Sequence, residues 1–248
     1  MINKVCKDAN EATNDINNNK TIMIGGFGLC GNPENLITSL VKKDARNLTI
    51  ISNNCGTTKL GIGELIQKRQ VSKVIASYVG ENSEFEKQFL MGDLEVELTP
   101  QGTLAEKIRC GRAGIPGFYT RTGVNTLAMG GLPTKYNADG DILKTIAAKE
   151  TKTFDNKTYM LETSLKADFA LVKAYLCDTL GNLVFRKTAM NFNSVMCGAA
   201  AVTIVEAEHI VRPGDINPDH IHVPGIYVTK VIQGLKYNNF IENLTISE

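Results

Sequence analysis

Apolar residues in the first hundred positions fall into short runs separated by polar turns and by stretches of helical spacing. Ile22-Met23-Ile24 is one such run, and residues 47–52, 74–76 and 94–98 hold three more. Runs this short, bounded by turn residues, predict strands buried on both faces. Between them Leu36, Ile37, Leu40 and Val41 recur at helical spacing within residues 33–43, with further helices predicted over 62–68, 84–91 and 103–109. A short polar helix is expected over 8–17, ended by Asn17-Asn18-Asn19. Strands alternating with helices predict an α/β fold: a mainly parallel, Rossmann-like sheet with helices on both faces.

The pattern changes after Gly111. Glycines and turn residues crowd the stretch to Asp141, and Asp139-Gly140 and Asp155-Asn156 have the composition of hairpin turns. An irregular insertion with antiparallel pieces, covering one end of the sheet, is expected here. A buried strand resumes over 169–174, with a turn at 178–182, a small-residue helix over 194–201 and strands over 202–205 and 226–232. No internal repeat or linker interrupts the chain, so a single domain over residues 1–248 is expected.

The chemistry concentrates at strand ends. Gly25-Gly26-Phe27-Gly28-Leu29-Cys30-Gly31 follows the first strand and precedes a helix. Glycines uncover backbone N–H groups, and the next helix would aim its positive end at the same place. The loop satisfies G-x-G-x-x-G, yet a nicotinamide dinucleotide would need a carboxylate after the second strand. That position reads Ser52-Asn53-Asn54, which offers amides only. The remaining alternative for the glycines is close strand–helix packing. A further amide, Gln101, stands in the turn Thr99-Pro100-Gln101-Gly102 before another helix. Ligands of open α/β sheets gather outside the carboxyl ends of strands. Side-chain amides there suit a developing oxyanion better than proton transfer, with turn hydrogen bonds as their other reading.

Composition removes several classes. Lys+Arg 27 against Asp+Glu 26 gives no electrostatic footprint for nucleic acid. No apolar run approaches the roughly 18 residues a membrane span needs, and the first twenty residues have neither a signal-peptide nor a transit-peptide character. The six cysteines are scattered without a C-x-x-C pair, the pattern of reduced thiols in a cytoplasmic protein. His220 and His222 beside Asp219 could share a strand face as metal ligands; their Pro-bounded segment favours packing and turn roles, and no metal is expected. Cys30, with no neighbouring base or cation in sequence, reads as a small apolar filler.

These residues also carry a resemblance. Asn18-Asn19, Ile22-Met23-Ile24-Gly25-Gly26-Phe27, Gly31 and Pro33 match the first signature of family I coenzyme A-transferases. The match continues through Ser52-Asn53-Asn54, Ser77-Tyr78-Val79-Gly80-Glu81-Asn82, residues 95–103, Phe185-Arg186-Lys187, Asn191-Phe192-Asn193 and residues 221–228. It resembles the A-subunit half of the branch acting on succinyl-CoA and 3-ketoacids more than the acetate/butyrate–acetoacetate branch.

The resemblance implies transfer of CoA from succinyl-CoA to a 3-oxoacid such as acetoacetate. CoA would ride on an enzyme glutamate as a thioester, a case of covalent catalysis by a carboxylate. The family's Ser-Glu-Asn-Gly motif is absent, so the nucleophile is expected on a partner B subunit, in a heterodimer or heterotetramer. Gly80-Glu81-Asn82-Ser83 imitates that motif at a different place, and a structural or helix-starting role is expected for it. By resemblance Gly25, Gly26, Phe27, Gly28, Leu29, Cys30 and Gly31 contribute to CoA binding, and Asn53 and Gln101 contact the reacting carbonyl. No permanently bound cofactor is implied; the CoA thioester is substrate. The chain's end near Ile246 falls where fused relatives pass into their second half. Met190, Arg112, Arg121 and Asn125 depart from the family's arginine, glycine, proline and glycine, which bears on substrate preference and activity. A non-catalytic ligand-binding relative is the competing expectation.

Overall fold

The computed structural model describes residues 2–235 and Tyr237, so the Ile246 boundary lies outside the described residues. Its first half alternates as the pattern predicts. In order come α1 (Ala9–Ala12), β1 (Thr21–Ile24), α2 (Glu34–Lys43), β2 (Leu48–Ile51), α3 (Gly63–Gln67), β3 (Val71–Ala76), α4 (Ser83–Leu90), β4 (Glu95–Leu98) and α5 (Gln101–Ala113). An antiparallel stretch follows, made of β5 (Gly117–Thr120), β6 (Pro133–Tyr136), β7 (Ile142–Thr145), β8 (Thr151–Phe154) and β9 (Lys157–Thr163). The chain then returns through β10 (Ala167–Asp178), β11 (Leu183–Val184), α6 (Asn191–Met196), β12 (Ala200–Val211) and β13 (Lys230–Gln233).

The main sheet runs β13-β12-β10-β1-β2-β3-β4 with every pairing in that row parallel, and β11 lies antiparallel beside β10. Strand order reverses direction at the β1–β10 junction, so right-handed crossovers place the two sets of helices on opposite faces. Alternation along each strand feeds both layers. Ile22, Ile24, Ile50, Val74 and Leu171 pack with Leu36, Leu40, Leu65 and Phe85 of α2–α4. Met23, Ile51, Ile75, Ala170 and Val172 pack with Leu104, Ile108, Phe192 and Met196 of α5 and α6. The expected helices on both faces are therefore present.

The insertion forms two small antiparallel sheets, β5-β9-β8 and β6-β7, with Asp139-Gly140 and Asp155-Asn156 at the hairpin turns. Several boundaries differ from expectation: the strands expected over 169–174 and 202–205 run longer, as β10 and β12, and the helix expected over 103–109 runs longer, as α5. The first helix occupies only Ala9–Ala12, capped by Asp8, whose carboxylate accepts from the Glu11 amide at 2.9 Å. The helix expected over 194–201 ends at Met196, and Ala200 already belongs to β12, because Ala199-Ala200-Ala201 fits either period. The last strand begins at Lys230, since Gly225–Tyr227 form a 3-10 turn after Pro224. Among the described residues no helix is long and apolar enough to cross a membrane.

Candidate active site

The β1–β10 junction, where a dinucleotide would lie, is filled by this chain's own side chains. Asn193, fully buried at the third position of α6, accepts from the Lys173 amide and donates to the Gly31 and Ala189 carbonyls, each at 2.9 Å. A Cβ on Gly25 would overlap the Asn193 carboxamide oxygen, and one on Gly31 would lie 2.9 Å from its nitrogen. Gly26, at φ +127°, makes the same room for Asn32. Three of the four loop glycines thus serve close packing.

The positive end of α2 is also taken. Pro33 supplies no side-chain cap; instead Glu206 reaches from β12, its carboxylate accepting from the Leu36 amide at 2.9 Å and from Asn35 Nδ2 at 2.7 Å. Against the expectation that this helix aims its dipole at a ligand, a buried internal carboxylate already accepts from one of the orphan backbone donors of its first turn. Burial holds the Glu206 carboxyl above its ordinary value of 4.5, against the lowering pull of Asn35 and Leu36.

The open chemistry lies one to three strands away, beyond the ends of β1, β2, β3 and β4. A cleft of about 430 Å³ is lined by Phe27, Gly28, Asn53, Asn54, Ser77, Tyr78, Glu81 and Gln101. Its floor is an amide relay. Gly28 N–H and Asn53 Nδ2 donate to Asn54 Oδ1 at 2.9 and 3.2 Å. Asn53 Oδ1 accepts from Ser77 Oγ and from Gln101 Nε2, both at 2.9 Å. These partners fix which way the Asn53 carboxamide points: its oxygen is saturated, and its nitrogen keeps a second N–H for a ligand, as does that of Gln101. Asn53 is 3% exposed, so that donor stands on a desolvated floor where it counts for more than in water. Gln101 is the first residue of α5, whose N-terminal amides receive no side-chain cap. The cleft is therefore rich in donors, suited to an oxygen that gains negative charge.

Among the predicted loop residues, Gly28 faces open space: a Cβ there would meet nothing within 4 Å. Phe27 and Tyr78, each about half exposed, form apolar walls. Leu29 and Cys30 do not line the cleft; Cys30 closes a tight turn with Phe27 through two 3.0 Å backbone bonds, its Sγ 3.4 Å from Thr188 Oγ1. Asn82 starts α4 by accepting from the Phe85 amide, which leaves Glu81, at φ +68°, on the cleft wall. His222 Nδ1 accepts from the Phe185 amide, a turn role. Among the described residues no three His, Cys, Asp or Glu side chains are grouped to hold a metal. Sequence reasoning missed Ser77 as a relay member, although Ser77 stands at the end of a predicted strand beside the asparagines.

Comparison with known proteins shows the family. The family description Coenzyme A transferase matches residues 6–234. The chain belongs to the coenzyme A transferase family. It is 51% identical over 245 residues to the A subunit of a probable succinyl-CoA:3-ketoacid coenzyme A transferase of Bacillus subtilis, covering 99% of this chain and 96% of that one. The human mitochondrial succinyl-CoA:3-ketoacid coenzyme A transferase 2 is 50% identical over 244 residues, but this chain spans only 47% of its length. In fold it is similar to an acyl-CoA transferase of Escherichia coli O157:H7 solved as a thioester complex with CoA. That match has a TM-score of 0.83 and 22% identity, and covers 99% of this chain and 52% of the other. Glutaconate coenzyme A-transferase of Acidaminococcus fermentans gives a TM-score of 0.74 at 18% identity, covering 93% and 75%.

Of the four positions expected to depart from the family pattern, Arg112 and Asn125 have local explanations, and nothing in the structure explains Arg121 or Met190. Arg112 donates to the Ser194 carbonyl at 3.1 Å and lies 4.0 Å over the Tyr227 ring, clipping α5 to α6 and to the 225–227 turn. Asn125 adopts φ +63°, a conformation asparagine tolerates next best to glycine. Arg121 is exposed, and Met190 is 38% exposed just before α6. None of the four lines the cleft.

Proposed function

We propose that this chain is the A subunit of a CoA-transferase that moves CoA between succinyl-CoA and a 3-oxoacid such as acetoacetate. The observation that carries the reading is the donor relay Gln101–Asn53–Ser77 set beside Gly28, in a chain that lacks the glutamate motif of the transfer step. In the first half-reaction the thioester carbonyl is attacked by a carboxylate of the partner B subunit, and the acyl oxygen gains charge against the N–H groups of Asn53 and Gln101. The C–S bond breaks, CoA leaves as thiolate and then displaces the acyl group as a free carboxylate, which leaves a glutamyl-CoA thioester. The second carboxylate reverses these steps and departs as the new acyl-CoA.

Gly28, with its open Cβ direction, and Phe27 are the loop positions best placed to touch CoA; Gly25, Gly26 and Gly31 hold the loop's shape through Asn193 and Asn32. Residues 1–248 act as one domain, the acyl-CoA and the carboxylate are substrates, and no cofactor stays bound between turnovers. A heterodimer or heterotetramer in the cytoplasm is the assembly that this division implies. The test is to purify the chain alone and together with its co-purifying partner. The chain alone should show no transfer; the pair should exchange CoA between succinate and acetoacetate at an ordinary rate, ~1–10³ s⁻¹. Full turnover by the isolated chain, or a pair inert toward both acids, would overturn it.

A further inference from the structure

Where the insertion meets edge strand β4 and α5, a chamber of about 440 Å³ remains between them. An alternating chain of charges lines it. Glu95 lies between Lys144 and Lys73, Glu97 between Lys73 and Lys107, and Glu162 between Lys107 and Lys149, at 2.5–3.8 Å. Four ammonium groups are thus joined by three carboxylates, which leaves one positive charge unmatched. The remaining carboxylate of the lining, Glu150, is exposed and accepts from the Tyr119 hydroxyl. Lys144 ends the chain in solvent, whereas at the other end Lys107 and Glu162 are 5% and 1% exposed. Both Glu162 oxygens are taken there, by Lys107 at 3.2 Å and Lys149 at 2.5 Å, and each ammonium makes only that hydrogen bond among the described residues. An ammonium has three N–H groups, so two remain on each lysine. Thr134 of β6, 3% exposed, lines the same chamber, and its hydroxyl has no partner among the described residues. A buried hydroxyl left so costs free energy and calls for a partner.

We propose that this chamber binds a small oxyanion, inorganic phosphate or a short carboxylate, through Lys107, Lys149 and the Thr134 hydroxyl. The spare groups are donors, which a cation cannot use, and a neutral ligand would leave the extra charge unmatched. An oxyanion satisfies both: its oxygens accept from the N–H groups and the hydroxyl, and its charge completes the alternation. The volume holds such an ion together with waters of about 30 Å³ each. The three donors come from α5, from β6 and from the segment joining β7 to β8, so the anion ties the insertion to the helix that begins with Gln101. The chamber shares no lining residue with the amide cleft, and the proposal stands apart from the transferase reading.

Inorganic phosphate, titrated calorimetrically into the assembled complex against chloride at matched ionic strength, should bind saturably and raise the thermal midpoint with concentration. Thr134→Val and Lys149→Gln should each weaken that binding about tenfold or more, the scale of one charge-assisted hydrogen bond. Lys152→Gln removes an equal charge from β8 outside the chamber and should leave the affinity unchanged. Thr134→Val should also raise the midpoint of the anion-free complex, because it removes a buried hydroxyl that has no partner. If that variant fails to fold, Lys149→Gln against Lys152→Gln decides. A titration with succinate separates the two sources. Succinate bound as tightly by Asn53→Ala as by the parent, and less tightly by Lys149→Gln, makes a carboxylate an occupant of the chamber. Succinate binding lost with Asn53 belongs to the cleft and leaves phosphate as the occupant. No saturable binding of either anion beyond chloride, or binding that Lys149→Gln and Lys152→Gln weaken equally, overturns the inference.

Discussion

Behind Asn53 and Gln101 stand two apolar layers, with Ile22, Ile50 and Val74 on one face of the sheet and Met23, Ile51 and Leu104 on the other, all 0–1% exposed. Residues 117–163, which adjoin the same site, meet the sheet differently. Edge strand β4 turns Glu95 and Glu97 toward them, and Lys73, Lys107 and Lys144 bridge these carboxylates at 2.9–3.8 Å. Glu162 of β9, 1% exposed, binds Lys107 at 3.2 Å and Lys149 at 2.5 Å. Apolar packing fixes position by shape and tolerates little displacement. An ion-pair seam fixes position by complementary charge, and it fails steeply when one partner is removed. The amides of the cleft are thus set on the rigid layer, and the insertion on a seat that depends on charge.

The largest expected effect breaks the seam. Glu162→Ala leaves two ammonium groups in a buried setting and should cost about 3–5 kcal/mol in denaturant unfolding. The loss of hydrogen-exchange protection should be centred on β9 and α5. Gly25→Ala probes the rigid side: the new methyl meets Asn193, and a destabilisation of about 1–3 kcal/mol is expected. Gly28→Ala has open space and only its φ of +60° to oppose it, so about 1 kcal/mol should suffice. Measuring the two side by side separates the packing glycine from the ligand-facing one. Lys144→Ala, at an exposed pair with Glu95, should change stability by only about 0.2–1 kcal/mol, and less at high salt.

Glu206 adds a pH test of the rigid side. Its folded carboxyl sits above the ordinary value, so its contribution to stability is fully present below pH 4.5 and is lost as pH rises through the folded value. Glu206→Gln cannot ionise. The variant should gain on the parent as pH is raised above about 4.5, read as a narrowing or reversal of the difference in thermal midpoint.

The contrast also explains what the sequence made legible. Strands β1–β4 announce themselves because parallel strands covered on both faces are short apolar runs between turns. The amides at Asn53 and Gln101 were visible because they stand at the ends of those runs. Asn193 and Glu206 were not visible as the groups that fill the β1–β10 junction and cap α2. They act on residues more than 160 positions earlier, and nothing local marks a polar residue as a cap for a distant helix. The Lys–Glu seam was hidden for the same reason: its members lie on β3, β4, α5, β7, β9 and the segment before β8. The strand end at Ser77 carried a signal, a hydroxyl after a buried run, that only the relay geometry makes decisive.

The most direct test locates the covalent intermediate. The assembled pair is incubated with acyl-CoA and no acceptor, then digested, and the CoA-bearing peptide is identified by mass spectrometry for the parent and for Asn53→Ala. The account predicts a glutamyl thioester on the partner subunit, none on Glu81, and formation about 10²–10³-fold slower in the variant, the cost of losing one oxyanion donor. A thioester on Glu81, or formation at the parent rate without the Asn53 amide, would contradict it.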